Sequence, residues 1–579
     1  MPSNSNIKNR ISIRSICNLG TKIYYPQADI PNSNVLFKWT LASEGELYVN
    51  HMNNLVWSRL FNIGIAVTEF FHDKEKKGSR KLSLLIGIIA LGTITLGDVD
   101  AAPADGQVTS GAGTITQAGN TTTINQGTQN LSLSWSHFNI APHEVVNFVQ
   151  PSASAIAVNR IFDTSATQIL GHLNANGQIY LINPNGIVFG QGSEVNVGGL
   201  VASTLNITDN NLNSTTKTFS GKGTGSVINQ GKLAAANGGY IALLGNHVSN
   251  QGIITAQLGT VALAGGSAMT LTFADNSLVK LQVTQSTLNN LVENKQLVQA
   301  NGGLVFMDAG AKASLLASVV NNTGIVEAKT VSSHEGVITL LGGMEAGTVN
   351  VGGKLDAGAP NGGNGGLVET SASTVKVNDS ASVSTLASKG QSGTWIIDPK
   401  DFTIAASGGN MTGTAVNAAL AGGDLAILSS NGSNPSGFGD INVNEALTWN
   451  SHQLALTAAH SINVNAVMSV NGTASLAMKT STANGGDPAV ADGLVNMGFN
   501  ADGSFKGQIN FSQAGLVSGL LTINGNAYTV INNFGPSGST DARDFQAIST
   551  TGNYALGRNL DATGIPTTGI ASFLSLIHI

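Results

Sequence analysis

The sequence predicts an all-β fold, a right-handed parallel β-helix, preceded by a helical signal segment. Three observations carry that expectation. The 579 residues include 71 Gly but only 10% charged and 5% aromatic residues, where a globular chain averages about 25% charged and about 7% Gly. Short apolar strands alternate with Asn/Gly turns. Those turns echo one another at a spacing of about 20 residues, enough for one coil of a solenoid.

Read in order, the chain opens with residues 1–51, which carry no repeat or recognisable motif and are expected to be an overcalled, unstructured start. Residues 52–101 read as a targeting region. Lys74, Lys76, Lys77, Arg80 and Lys81 form a basic stretch ahead of an uncharged, mostly apolar run over 82–96. That run has the length of a signal-peptide hydrophobic core and is short for a membrane span. Val99 and Ala101 then supply the small or β-branched residues that place cleavage between Ala101 and Ala102. A buried helix or membrane anchor is the competing reading, which Gly87, Gly92, Thr93 and Thr95 weaken. Upstream, the text from Met52 to Glu69 resembles the extended signal-peptide region of very large secreted Gram-negative proteins, which implies translation from Met52.

Charge is distributed unevenly. Residues 1–81 hold 11 of the 27 basic and 6 of the 33 acidic residues, and Asp98 and Asp100 follow, so the stretch from 102 onward carries 16 basic against 25 acidic residues, a formal −9. No basic patch of the kind that neutralises phosphates is present there, which argues against a nucleic-acid partner. The single cysteine, Cys17, precedes the signal, so the exported part can hold neither a disulfide framework nor a cysteine metal site.

Residues 102–392 are expected to form the β-helix. Asn229-Gln230-Gly231 is echoed by Asn250-Gln251-Gly252, and each is followed by a second apolar strand, Tyr240 to Gly245 and Thr260 to Gly265. Asn321-Asn322-Thr323-Gly324 is a third copy. Stacked coils satisfy each other's backbone groups at ~4.8 Å spacing, and stacked asparagines can hydrogen-bond along the axis. About 14 coils over this stretch would give a rod roughly 65 Å long, of the pectin-lyase-like solenoid type. A β-sandwich array is the alternative, for which a 21-residue echo is short. The segment 275–299 breaks the pattern: Leu281, Leu288, Leu291 and Val292 fall at helix-like spacing and predict a short projecting helix or loop.

The most distinctive text runs from Trp135-Ser136-His137-Phe138-Asn139-Ile140 through Val145 to Pro151 and Ala155-Ile156-Ala157-Val158-Asn159-Arg160-Ile161. It continues through Gln178 to Ile182, Asn183-Pro184-Asn185-Gly186-Ile187 and Val197 to Thr204. This stretch resembles the two-partner-secretion domain of filamentous-haemagglutinin-type adhesins. The resemblance implies that Asn183, Pro184, Asn185, Gly186 and Ile187, with Asn159 and Arg160, serve recognition by the periplasmic domains of a dedicated outer-membrane β-barrel transporter. It also implies a secreted, surface-associated adhesin of a Gram-negative cell, meeting a host or neighbouring-cell receptor, with no membrane span left after signal removal. Asn-Pro-Asn-Gly is equally a good type I or II turn. The family's second motif, Asn-Pro-Asn-Leu, has no verbatim copy, and residues 162–171 stand where a degenerate version would lie.

From 393 to 579 the chain is expected to begin a β-rich passenger, with Trp395 and Asp398-Pro399 as a packing aromatic and a turn. The apolar end at 572–579 reads as a truncated gene model. No catalytic residue, cofactor or metal is expected: acids are dispersed, Asp398 and Asp401 lack a nearby histidine, His137 and His143 lack ligand partners, and no phosphate loop or nucleophile elbow occurs. A contact-dependent inhibition toxin or haemolysin sharing this export domain is the alternative to an adhesin.

Overall fold

The computed structural model describes residues 102–310, 318–429, 439–481, 493–513, 515, 519–549 and 551–561, together with five short strands among the first hundred residues. The chain divides into two units, Met1–Val99 and Asp100–Ile579. In the first, Ile23–Tyr24, Leu36–Leu41, Gly45–Asn50, Leu55–Ser58 and Ile63–Ala66 pair antiparallel in chain order. Regular strands therefore fall within residues 1–51, where none was expected. The apolar run 82–96, with its expected helix, and Ala101 lie outside the described residues.

The second unit is a parallel β-helix with three faces. The longest face stacks Asn130–Trp135, Ile156–Ile161, Gln178–Ile182 and the second half of Glu194–Ser203. It continues through the second half of Lys232–Gly245, Thr260–Gly265, Leu304–Asp308, Val337–Leu341, Leu367–Ser371 and Thr394–Asp398. Asp424–Ser429, Gln453–Ala458, Ser475–Lys479 and Leu521–Ile523 extend it further. Ten strands thus reach residue 398, a stack of roughly 43 Å at ~4.8 Å per layer. The expected 14 coils were too many because coil length is not constant. The same asparagine rung recurs after 21, then 44, then 28 residues, the 44-residue step holding the paired strands Ala268–Ala274 and Ser277–Gln285 outside the coil.

Inward residues of all coils merge into one apolar core that runs from Ile124 and Leu131 to Val530 and Ala555. Strands such as Asp424–Ser429 and Gln453–Ala458 alternate strictly between buried and half-buried positions, as one-sided strands do. Gln178–Ile182 and Thr260–Gly265 are buried at every position, which requires cover on both faces. The cover is a three-stranded antiparallel sheet, Thr216–Ser220, Ala268–Ala274 and Ser277–Gln285. Phe219, Met269, Leu271, Phe273 and Leu281 pack there on Tyr180, Val201, Tyr240 and Ala262 in a second core. The helix expected within 275–299 is therefore absent. Leu281 sits on this sheet, and Leu291 and Val292 belong to the coil strand Asn290–Asn294. Their spacing satisfied a helical pattern by coincidence, because the edge of one strand and the start of the next share the window.

The rod is closed at its start by antiparallel strands. Gln107–Ser110 pairs with Asn130–Trp135, and Gly113–Ala118 with Thr121–Gln126, removing the open edge that would otherwise invite pairing by another chain. No break occurs at the expected boundary near 392, since Thr394–Asp398 is hydrogen-bonded to strands on both sides. The change there is on another face. After Ser382–Ser384 that face resumes at Leu447–Trp449, and the helix Gly413–Ala421 packs against both strands. Thr412 caps it by accepting from the Ala415 amide at 3.2 Å, and its Ala-rich text favours a helix.

Candidate functional site

Asn183 to Gly186 forms a hydrogen-bonded turn at a corner of the rod, where the strand Gln178–Ile182 ends and Ile187–Phe189 begins. The Gly186 amide donates to the Asn183 carbonyl at 3.0 Å. Asn185 does not adopt positive φ, so the turn is type I rather than type II. The Asn183 side chain is fully buried. Its Oδ1 accepts from the Asn185 amide at 2.9 Å, while its Nδ2 donates to the Ser165 carbonyl at 3.0 Å and to Thr167 Oγ1 at 2.9 Å. Asn185 Nδ2 donates to the Asp163 carbonyl at 2.7 Å. Only Pro184 and Asn185 face solvent; Gly186 and Ile187 are buried.

The corner of the preceding coil repeats the geometry. The Ser165 amide donates to Asp163 Oδ1 at 2.9 Å, and Asp163 Oδ2 lies 2.8 Å from His137 Nδ1. Residues 162–171, which stand where a degenerate second motif would lie, thus supply the platform on which the first motif rests. The following segment closes over the turn: the Gly225 amide donates to the Pro184 carbonyl at 3.2 Å, and a Cβ on Gly225 would lie 2.3 Å from the Asn185 carbonyl carbon. Glycine is required there by backbone contact.

The chain matches the TPS secretion domain family over residues 99–357. It carries a TPS secretion domain. Such a domain implies a cognate outer-membrane transporter and passage across the outer membrane of a Gram-negative cell. A heme/hemopexin-binding protein of Haemophilus influenzae strain KW20 is 32% identical over 248 residues, covering 41% of this chain and 27% of that protein. A second heme/hemopexin-binding protein from Haemophilus influenzae is 29% identical over 243 residues, covering 38% and 26%. The match thus spans about a quarter of those relatives' length. The HMW1 secretion domain from Haemophilus influenzae is similar in structure, at 21% identity and a TM-score of 0.49, over 68% of this chain and 99% of that one.

Within the secretion domain, Asn159 and Arg160 do not join the turn. Asn159 is fully buried; its Oδ1 accepts from Trp135 Nε1 at 2.9 Å, satisfying an indole that packs edge-on against Phe138. Arg160 points to the opposite side of the same strand. Its guanidinium donates to the Ile207 carbonyl at 2.7 Å and to Asp209 at 2.6 Å, and Ser132 also donates to Asp209 at 2.8 Å. Arg160 therefore ties the outgoing segment of the antiparallel cover to the rod. These partners lie dozens of residues away, and nothing in local text announces them.

The remaining candidates are structural in their contacts. Trp395 is 3% exposed and donates to Thr370 Oγ1 at 3.1 Å. Asp401 accepts the Asp440 amide at 3.0 Å. Among the described residues, no group of three or more His, Cys, Asp or Glu is placed to hold a metal ion, and no helix is long and apolar enough to cross a membrane.

Proposed function

We propose that this chain is the N-terminal part of a cell-surface adhesin, whose secretion domain is recognised by its transporter through the Asn183–Ile187 corner while the coil is still open. The observation that carries this reading is the burial of Asn183, with both polar atoms of its side chain engaged inside the fold. A folded corner offers a partner only Pro184 and Asn185, so a transporter reading the whole motif must meet it before the coil closes. Outside the cell, each added coil buries further Val, Ile and Leu side chains at about 1.5–3 kcal/mol each, which biases the chain outward without nucleotide hydrolysis. No catalytic role is proposed. Replacing Asn183 and Asn185 together by Ala should abolish surface export in cells that hold the partner transporter. Undiminished export would remove transporter recognition from this corner.

The receptor is set by the side-chain chemistry of the passenger rather than by the fold. A heme- or hemopexin-binding passenger is the second reading, favoured by the names of the two relatives. Retention of the secreted chain on immobilised hemopexin, against retention on intact host cells, separates the two.

A further inference from the structure

Glu144 is a buried carboxylate, 5% exposed, in the turn that precedes Val145–Val149. Its Oε2 accepts two amides, Ala141 N at 2.8 Å and Ala102 N at 3.0 Å. Lys, Arg and His side chains form no ion pair with it among the described residues. A buried anion held only by neutral donors is costly, and a cation at the same point would offset that cost. Ala102 is itself buried and holds φ of +73°, a left-handed conformation that its Cβ disfavours. Beyond it the chain is pinned, since the Ala104 amide donates to the His137 carbonyl at 2.9 Å.

Both features resolve at once if the bond before Ala102 is hydrolysed. We infer that Glu144 is the receptor for the α-ammonium group of Ala102, created when a signal peptidase cuts between Ala101 and Ala102. The inference rests on that cleavage reading. Hydrolysis consumes one water, breaks the Ala101–Ala102 amide, and leaves a carboxylate on the leader and an ammonium on Ala102. The nitrogen that donates one hydrogen bond as an amide then becomes a cation 3.0 Å from Glu144 Oε2. The strained φ vanishes, because a chain terminus has no preceding carbonyl to clash. Processing at the inner membrane thereby strengthens the first corner of the rod, and the precursor folds with that corner weaker than the mature chain.

The test uses the secreted protein with its natural N-terminus. Terminal sequencing and intact mass should show a chain beginning at Ala102; a start elsewhere, such as after Ala104, overturns the inference through its cleavage premise. With that start established, acylation of the α-amine by an amine-reactive ester is followed by peptide mass spectrometry across pH 6–10. In the wild type the amine should titrate at least about one unit above the ordinary 7.7–8.0 range, and Glu144→Gln should restore it, a rate change of about fivefold at pH 8. An α-amine that titrates normally in the wild type overturns the pairing, with no need for the variant to fold. Equal titration in wild type and Glu144→Gln overturns it as well.

Discussion

The asparagine ladder gives a stringent prediction because the same chemistry occurs in two environments. Asn229, Asn250, Asn294 and Asn322 are almost fully buried and donate in sequence along the axis at 2.8, 2.8 and 2.9 Å. Asn250 makes four contacts: it accepts from Asn229 Nδ2 and from the Gly252 amide at 3.3 Å, and it donates to Asn294 Oδ1 and to the Leu297 carbonyl at 3.3 Å. In Asn250→Ala, the Gly252 amide and Asn294 Oδ1 lose these partners inside the rod, whereas Asn229 Nδ2 keeps a 3.5 Å contact to the Ile253 carbonyl. Two buried groups left unsatisfied cost about 1–3 kcal/mol each, so the substitution should destabilise by about 4 kcal/mol. Asn463 sits in an outer ladder, donating to Asn442 and accepting from Asn496 at 2.9 Å each, at half-buried or exposed positions that water can reach. Asn463→Ala should cost under about 1 kcal/mol for that reason. Urea unfolding of the secreted chain, followed by circular dichroism and by amide exchange in the flanking strands, measures both. Costs that are equal at the two sites, or Asn250→Ala within about 0.5 kcal/mol of wild type, would refute the claim that burial rather than pairing makes the ladder strong.

Asp308 gives a pH signature. Burial pushes its carboxyl up to about 6, against hydrogen bonds from the Gly310 and Val283 amides that act the other way. The unfolded chain titrates near 3.8, so the folded state binds the extra proton between the two values. This group's contribution is therefore most favourable below about pH 4 and is lost as pH rises through about 6, a loss of about 3 kcal/mol at neutral pH. Asp308→Asn should flatten that part of the stability profile measured by thermal melts from pH 4 to 8. Gly225→Ala should push the Asn185–Gly186 backbone away and lower the melting temperature, with faster amide exchange at 185–187 than in the distant strand Gln453–Ala458. Arg160→Ala should loosen 205–213 while leaving Ile187–Phe189 protected, because its bonds run to Ile207 and Asp209; exchange that rises equally in both would place Arg160 at the corner after all.

Pattern and composition were enough for the architecture. Alternating small apolar residues and recurrent Asn-Gly turns have few uses other than stacked coils, because each coil can satisfy its backbone only on a neighbour. Asn229 and Asn250 were legible as rungs since their coils are equally long. Asn294 was not, because the antiparallel excursion stretches that coil and moves the rung to 44 residues away. The turn at Asn183–Gly186 was likewise written in local text, as Pro and Gly restrict the backbone wherever they stand. What the turn does with its side chains was decided by folding. Asp163, Ser165 and Thr167 reach Asn183 and Asn185 only when one coil lies on the next, and local residue preference contains no term for a partner 16 to 22 residues away. The same holds for the doubly buried strands around Tyr180 and Tyr240. Their text is mostly apolar, but only the tertiary structure supplied the cover on both faces, from a sheet one of whose strands, Ser277–Gln285, lies where a short helix or loop was expected.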